Sequence, residues 1–398
     1  MRVGLLGVLF ASLLAAGCAS TRGLDAGKAD KAAQAFAADV DKKRIPGAVM
    51  LIARDGRVVY EKALGLQDPA SGAPMRVDSI FRIYSMTKPI VSVVAMQLVE
   101  EGRIRLEDPV ANTLPELKGL SVGVEKDGKL EIVPAQREMT IRDLLRHTSG
   151  FTYGVFGKGM VKTLYAKEGV DSTAITNAEL VTRLAKVPLM FQPATVWEYG
   201  RSTDVLGALI ERVTGQPLDR VLEARVFKPL KMPDTGFWVP MTQMDRIAEP
   251  FDKDPDSAAQ YRLLQVRYKP TYLAGGQGLV STARDYLRFA QMLLNGGELE
   301  GVRLLKKSSL DEMTRNQLTG IKSSLKEYGF GLGFAVRLQD EGAAPGRAGE
   351  YNWAGVAGTA FWVDPKEGLV AILMFQAPNQ RAHYRTLYRN LVYGSLAD

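Results

Sequence analysis

The 398-residue chain predicts an α/β protein of the α+β kind. One antiparallel sheet is formed by its N- and C-terminal segments and flanked by helices, and a mainly helical region is inserted between them. Three observations carry this. Two strand-like runs near the N-terminus, Gly47 to Arg54 and Arg57 to Ala63, flank Asp55-Gly56, a turn pair that favours a tight hairpin. Two more near the C-terminus, Thr359 to Pro365 and Leu369 to Phe375, flank Lys366-Glu367-Gly368. The middle of the chain is punctuated instead by helix-start and helix-stop residues.

Taken in order, Lys28 to Lys42 has helical spacing, with Ala32, Phe36 and Val40 four apart. After the first hairpin, Ser79 to Ile83 is short and partly alternating. It gives way to Pro89 to Val99, an almost unbroken apolar run closed by Glu100-Glu101-Gly102. Pro89 suits a first helical turn, where a missing N–H costs nothing, and Gly102 suits a helix stop, so a helix starts at or just before Met86. Gly119 to Val133 reads as a small hairpin around Asp127-Gly128. Thr140 with Asp143, and Thr176 with Glu179, have capping-box spacing; the second precedes Leu180, Leu184 and Val187 and ends at Pro188. Val205, Leu206, Leu209, Ile210 and Val213 form an apolar stripe ending at Gly215, and Leu218 to Phe227 continues helical. Gly275 to Leu279 is a turn, and Ala283 to Leu294 is a helix stopped by Asn295-Gly296-Gly297. Tyr328 to Val336 reads as one strand and His383 to Tyr393 as a closing helix. Segments 152–175 and 240–272 carry no assignable pattern.

These elements divide the chain into a segment 1–17, a tether 18–27 and a folded region 28–398. Within the last, 28–84 and about 285–398 form an α/β lobe and about 85–284 a helical lobe. The first segment has a basic start, Met1-Arg2, and an apolar stretch from Val3 to Ala16, too short for a permanent span; it reads as a signal peptide. Cys18 is the only cysteine, so no disulfide forms within the chain. Its place after Ala15-Ala16-Gly17 resembles the lipobox of bacterial lipoproteins, which implies a lipidated Cys18, a membrane anchor and export to the periplasm or, with Ala19 following, the outer membrane. An ordinary cleavage site with an incidental cysteine is the alternative. The net charge of +7 is scattered, with no basic stripe carrying interleaved aromatics, which argues against nucleic acid as a partner. Two histidines, no His-x-His pair and no phosphate-binding loop predict neither a metal site nor a cofactor.

Chemistry concentrates at Ser85-Met86-Thr87-Lys88. At a helix start, residues three apart share a face, so the hydroxyl and the amine meet beside an apolar helix. Serine needs a neighbouring base, and burial together with the positive end of a helix is expected to keep the lysine neutral enough to be one. The same spacing at Ser323 and Lys326 lies in a polar stretch and reads as a solvated loop. Gly119-Leu120-Ser121-Val122-Gly123 matches the nucleophile string of alpha/beta-hydrolases but lacks the strand before and helix after that the string requires. His147 and His383 are read as structural, His147 as a helix-end cap. Tyr199, in a loop entering a helix, can bring a phenol to the site. The Gly-rich edge Asn352 to Thr359 can let a substrate approach the backbone closely.

With Leu144 to Gly150, Gly275 to Thr282 and Trp353-Ala354-Gly355, these motifs resemble the serine beta-lactamase and penicillin-binding-protein superfamily. The closer likeness is to the class C beta-lactamase-like family VIII carboxylesterases, over residues 30–395. The resemblance implies the beta-lactamase/transpeptidase-like fold and an acyl-enzyme on Ser85, with Lys88 as proton acceptor and Tyr199 as base or relay. It also implies an oxyanion hole from the N–H groups of Ser85 and Val356, with Trp353 and Gly355 beside the substrate. Arg201 replaces the asparagine of the penicillin-recognising members, and Trp353-Ala354-Gly355 replaces their Lys-Thr-Gly. Neutral esters therefore fit better than beta-lactams, although Arg201 could supply a compensating charge. A beta-lactamase or peptidoglycan DD-peptidase, or a non-catalytic envelope binding protein of the same fold, are the alternatives. If Cys18 carries a lipid, Cys18→Ser moves the protein from the membrane to the soluble fraction; fractionation and immunoblotting read this, and retention in the membrane would refute the anchor.

Overall fold

The structure, a computed structural model, describes residues 23–397. The signal segment 1–17, Cys18 and the first part of the tether lie outside the described residues. The strands of the main sheet are β1 (Gly47–Arg54), β2 (Arg57–Asp68), β3 (Ala73–Pro74), β4 (Tyr328–Phe330), β5 (Ala335–Arg337), β6 (Tyr351–Ala354), β7 (Gly358–Asp364) and β8 (Leu369–Gln376). Their order is β4-β5-β6-β7-β8-β1-β2-β3. The two ends of the chain thus meet where β1 pairs antiparallel with β8, Val49 opposite Met374 and Arg54 opposite Leu369.

Strand periodicity sorts the core into two sides. Ala48, Met50 and Ile52 join Leu369, Ala371 and Leu373 under the outer helices α1 (Ala26–Asp41) and α10 (Arg381–Ser395), through Phe36, Tyr384 and Tyr388. Val49, Leu51 and Ala53 join Val370, Ile372 and Met374 on the other face. There they meet the inner helices α2 (Thr87–Glu100) and α8 (Ala283–Leu294). Every residue of α2 from Thr87 to Leu98 is buried, as its apolar sequence requires. The inserted region contributes α3 (Ile141–Leu145), α4 (Met160–Glu168), α5 (Asn177–Leu184), α6 (Ser202–Thr214) and α7 (Leu218–Leu222). A ninth helix, α9 (Lys307–Met313), precedes β4.

Several expectations are corrected. The stretch Tyr328 to Val336 is two strands, β4 and β5, because Gly333 takes a φ of +102° and Gly331 N–H bonds to Phe334 O, closing a turn between them. The tether is shorter than expected: α1 begins at Ala26, with the Asp25 carboxylate accepting from Lys28 N–H at 3.0 Å. The expected helical run Leu218 to Phe227 is present, its second half as a π-turn, Glu223–Phe227. Both capping boxes and both hairpins formed around Asp-Gly are present. Ser121 of the decoy string lies on a hairpin strand opposite Pro134, and Ser323 and Lys326 are exposed outside any helix.

The α3 box holds the segment that frames the site. The Asp143 side chain is fully buried and accepts from Thr140 N–H at 3.0 Å, Thr148 Oγ1 at 2.7 Å and Arg146 Nη2 at 3.0 Å. Thr148 is followed by Ser149, whose hydroxyl meets that of Ser202 at 2.9 Å and joins α3 to the start of α6. Removing a buried, multiply bonded carboxylate leaves its donors unpaired. Asp143→Ala should therefore cost about 3 kcal/mol in urea unfolding; a change below about 0.5 kcal/mol, the scale of an ordinary surface substitution, would contradict this role.

Candidate active site

Ser85 lies in a 3-10 turn, Tyr84–Met86, that leads directly into α2. Tyr84 holds a φ of 44°, left-handed for a non-glycine residue, a conformation that costs on the order of 1–3 kcal/mol. It is held from several sides: Ile83 N–H bonds Leu279 O at 3.0 Å, Met86 N–H bonds Ile83 O at 3.0 Å, and the Tyr84 hydroxyl accepts from Leu264 N–H at 2.9 Å. A two-residue bridge, Phe81–Arg82 with Val280–Ser281, draws the Gly275 to Thr282 segment alongside.

Lys88 is 1% exposed, and its ammonium group has three acceptors: Ser85 Oγ at 3.3 Å, Tyr153 OH at 3.0 Å and Gly276 O at 2.7 Å. The predicted meeting of hydroxyl and amine is present, and the surroundings raise the amine's pKa where a lowered one is expected. Burial works against the charge, yet the facing phenols of Tyr153 and Tyr199 and the Asp204 carboxylate outweigh it and hold the amine above its ordinary range. Burial pushes the Tyr153 phenol up as well, against the pull of Lys88.

Tyr199 is placed by the backbone pairing of Glu198 N–H with His147 O at 2.9 Å. Its ring lies 4.5 Å from Lys88 Nζ and packs against Tyr153, Trp353 and His147, and its hydroxyl accepts from Trp353 Nε1 at 3.3 Å. His147 is no cap. It is 1% exposed with neither ring nitrogen bonded among the described residues. Burial, then the Lys88 charge, keep its pKa well below the ordinary value, so it serves as a neutral aromatic wall behind Tyr199. His383 is exposed on α10.

Strand β6 carries Trp353 to this cluster, and the turn after it, Gly355 to Gly358, abuts the Ser85 turn. At Gly355 a Cβ would lie 2.4 Å from Ile83 O, so the glycine lets this turn pack closely on the Ser85 turn. Val356 stands at the tip of the turn, partly exposed. Arg201 is likewise committed elsewhere. It is 2% exposed, bonded to Asp171 at 2.5 Å, within 3.5 Å of Asp204, and stacked 4.9 Å from the Tyr153 ring. It therefore does not offer the site a free charge for a substrate carboxylate.

Tyr153 and Asp204 were not singled out from sequence. Asp204 accepts from Gly276 N–H at 3.1 Å and Tyr272 OH at 2.8 Å, fixing the segment whose carbonyl holds Lys88. Tyr153 follows Gly150 by three residues in a stretch without periodicity, and only the aromatic cluster Phe151, Tyr153 and Phe156 marked it. A serine hydroxyl, a buried proton-handling cluster and backbone N–H groups at an adjoining turn are the parts of acyl transfer through a covalent intermediate.

Comparison with known proteins agrees with this geometry. The Beta-lactamase family model matches residues 32–393. Esterase EstB of Burkholderia gladioli is 34% identical over 355 residues, covering 84% of this chain and 86% of EstB. Among solved structures, EstCE1, described as a hydrolase with promiscuous acyltransferase activity, matches with a TM-score of 0.77 at 27% identity, covering 92% of this chain and 99% of EstCE1. Unliganded simvastatin synthase LovD from Aspergillus terreus, as its selenomethionyl derivative, matches with a TM-score of 0.76 at 25% identity, covering 92% and 98%. A serine–lysine pair beside a tyrosine, on a fold matched along nearly its whole described length, places the chain in the beta-lactamase family of serine hydrolases.

Proposed function

We propose that the protein hydrolyses neutral carboxylic esters through an acyl-enzyme on Ser85. The observation that carries this reading is the buried Lys88 amine 3.3 Å from Ser85 Oγ, inside a wall of Tyr153, Tyr199 and Trp353. Ser85 Oγ attacks the carbonyl carbon, and its proton passes to the Lys88–tyrosine cluster after that cluster has lost one of its own. The carbonyl oxygen takes up negative charge against the N–H groups of Val356 and Ser85. The alcohol then leaves with the proton, and water repeats the sequence to release the acid. Tyr199 relays the proton between Lys88 and the leaving oxygen. The aromatic wall, Trp353 in place of a lysine, and the engagement of Arg201 with Asp171 favour an uncharged substrate over a beta-lactam carboxylate. The name of EstB points the same way. The character of residues 1–18 supports export and a lipid anchor for this enzyme.

With p-nitrophenyl butyrate, Ser85→Ala should abolish turnover, and Lys88→Ala and Tyr199→Phe should each lower kcat by roughly 10²–10⁴. Wild-type rates in the Lys88 or Tyr199 variant would remove that residue from the mechanism. Strong nitrocefin turnover with no ester hydrolysis would overturn the substrate assignment.

The raised Lys88 pKa fixes the sign of the pH profile. The proton-accepting form grows as pH rises, so kcat/KM should climb by up to about tenfold per pH unit from neutrality until the protein unfolds. A plateau already reached below pH 7 would mean that the base is free at neutral pH.

A further inference from the structure

We propose that Arg385 is a positioning residue for this reaction, clamping the turn that presents the Val356 N–H to the reacting oxygen. The inference rests on the reading of Val356 as an oxyanion donor. Arg385 stands on α10, on the far side of the sheet from Ser85's helix. Its Nε donates to Gly358 O at 3.1 Å, and its Nη2 donates to Thr359 O at 3.1 Å and to Gly355 O. One guanidinium thus ties both ends of the turn that carries Val356. The turn's own bonds, Gly355 N–H to Thr359 O at 2.8 Å and Gly358 N–H to Gly355 O at 3.1 Å, share the same carbonyls. The Val356 N–H meets no acceptor among the described residues and points at no bond the fold needs.

The choice of an arginine here is otherwise costly. Largely removed from solvent, it faces no carboxylate among the described residues; the charged and titratable groups that act on it are Arg381 and Tyr199. Burial first, and Arg381 second, push it down to about 10, so it is still charged at neutral pH. A half-buried guanidinium without a counter-ion is costly, and three carbonyls are its compensation. Only a planar fork can reach both ends of the turn at once; a lysine offers a single point. Displacing an oxyanion donor while the nucleophile stays in place removes an interaction made chiefly in the transition state, so the loss belongs in kcat.

The test measures p-nitrophenyl butyrate hydrolysis by the purified full-length protein carrying Arg385→Lys or Arg385→Ala. Both variants should lose roughly 100-fold in kcat with KM within about twofold, because a shift of an ångström in the donor is enough. The inhibition constant of phenylboronic acid, whose serine adduct places an anionic oxygen in the same hole, should weaken in proportion. Added guanidinium should restore part of kcat in Arg385→Ala. Should Arg385→Ala fail to fold, Arg385→Lys, which keeps charge and most of the volume, carries the same comparison. Unchanged kcat in a folded variant, a loss confined to KM, or unaltered boronate inhibition would each overturn the proposal. If Ser85→Ala retained full turnover, the underlying site reading would fail instead, and the two failures are told apart by that control.

Discussion

One buried cation organises this active site. The Lys88 ammonium lies where the α2 start, the Tyr153 loop and the Gly276 turn converge, and it donates to one oxygen from each. A charge in that position is tolerable only if every N–H is satisfied, so the three segments are held to the geometry of a single tetrahedral group. The same constraint explains the surrounding detail. Asp204 fixes the Gly276 backbone, Arg201 braces Asp204 and stacks on Tyr153, and the α3 box secures the strand of chain that places Tyr199. None of these residues has to touch a substrate for its loss to disturb the serine.

The protonation of Lys88 alters the chemical account more than its position does. A neutral lysine would make the resting enzyme ready to accept a proton. A charged one, beside the Tyr153 phenol, must lose a proton before it can accept one. In the proposed attack the same charge would lie 3.3 Å from the hydroxyl that loses its proton. The serine's turn adds a strained Tyr84, held by the Leu264 N–H on its hydroxyl and by the bond of neighbouring Ile83 N–H to Leu279 O.

Local physics made most of the frame legible in the sequence. Asp55-Gly56, the two Thr-x-x-acid boxes, the apolar run behind Pro89 and the Asn295-Gly296-Gly297 stop each act over a few residues, and each marks the element found. What was misread depends on contacts distant in the chain. The packing of Gly355 on Ile83 is not legible because nothing in its neighbourhood announces Ile83. Arg201 looked available because Asp171 lies thirty residues earlier in a stretch without pattern. The raised pKa of Lys88 comes from Tyr153, Tyr199 and Asp204, and spacing could bring neither Tyr153 nor Asp204 to it. The strand break at Gly331 to Gly333 was visible as a pair of glycines but was outweighed by the alternating aromatics around it.

In the proposed reaction Ser85, activated by Lys88, is the residue that becomes acylated. Its most direct measurement is peptide mapping by mass spectrometry after reaction with a fluorophosphonate at neutral and mildly alkaline pH. The account predicts one adduct, on the peptide carrying Ser85, formed faster as pH rises and lost when Lys88 is replaced. An adduct on Ser121 or Ser323, or none on a protein that hydrolyses esters, would contradict it.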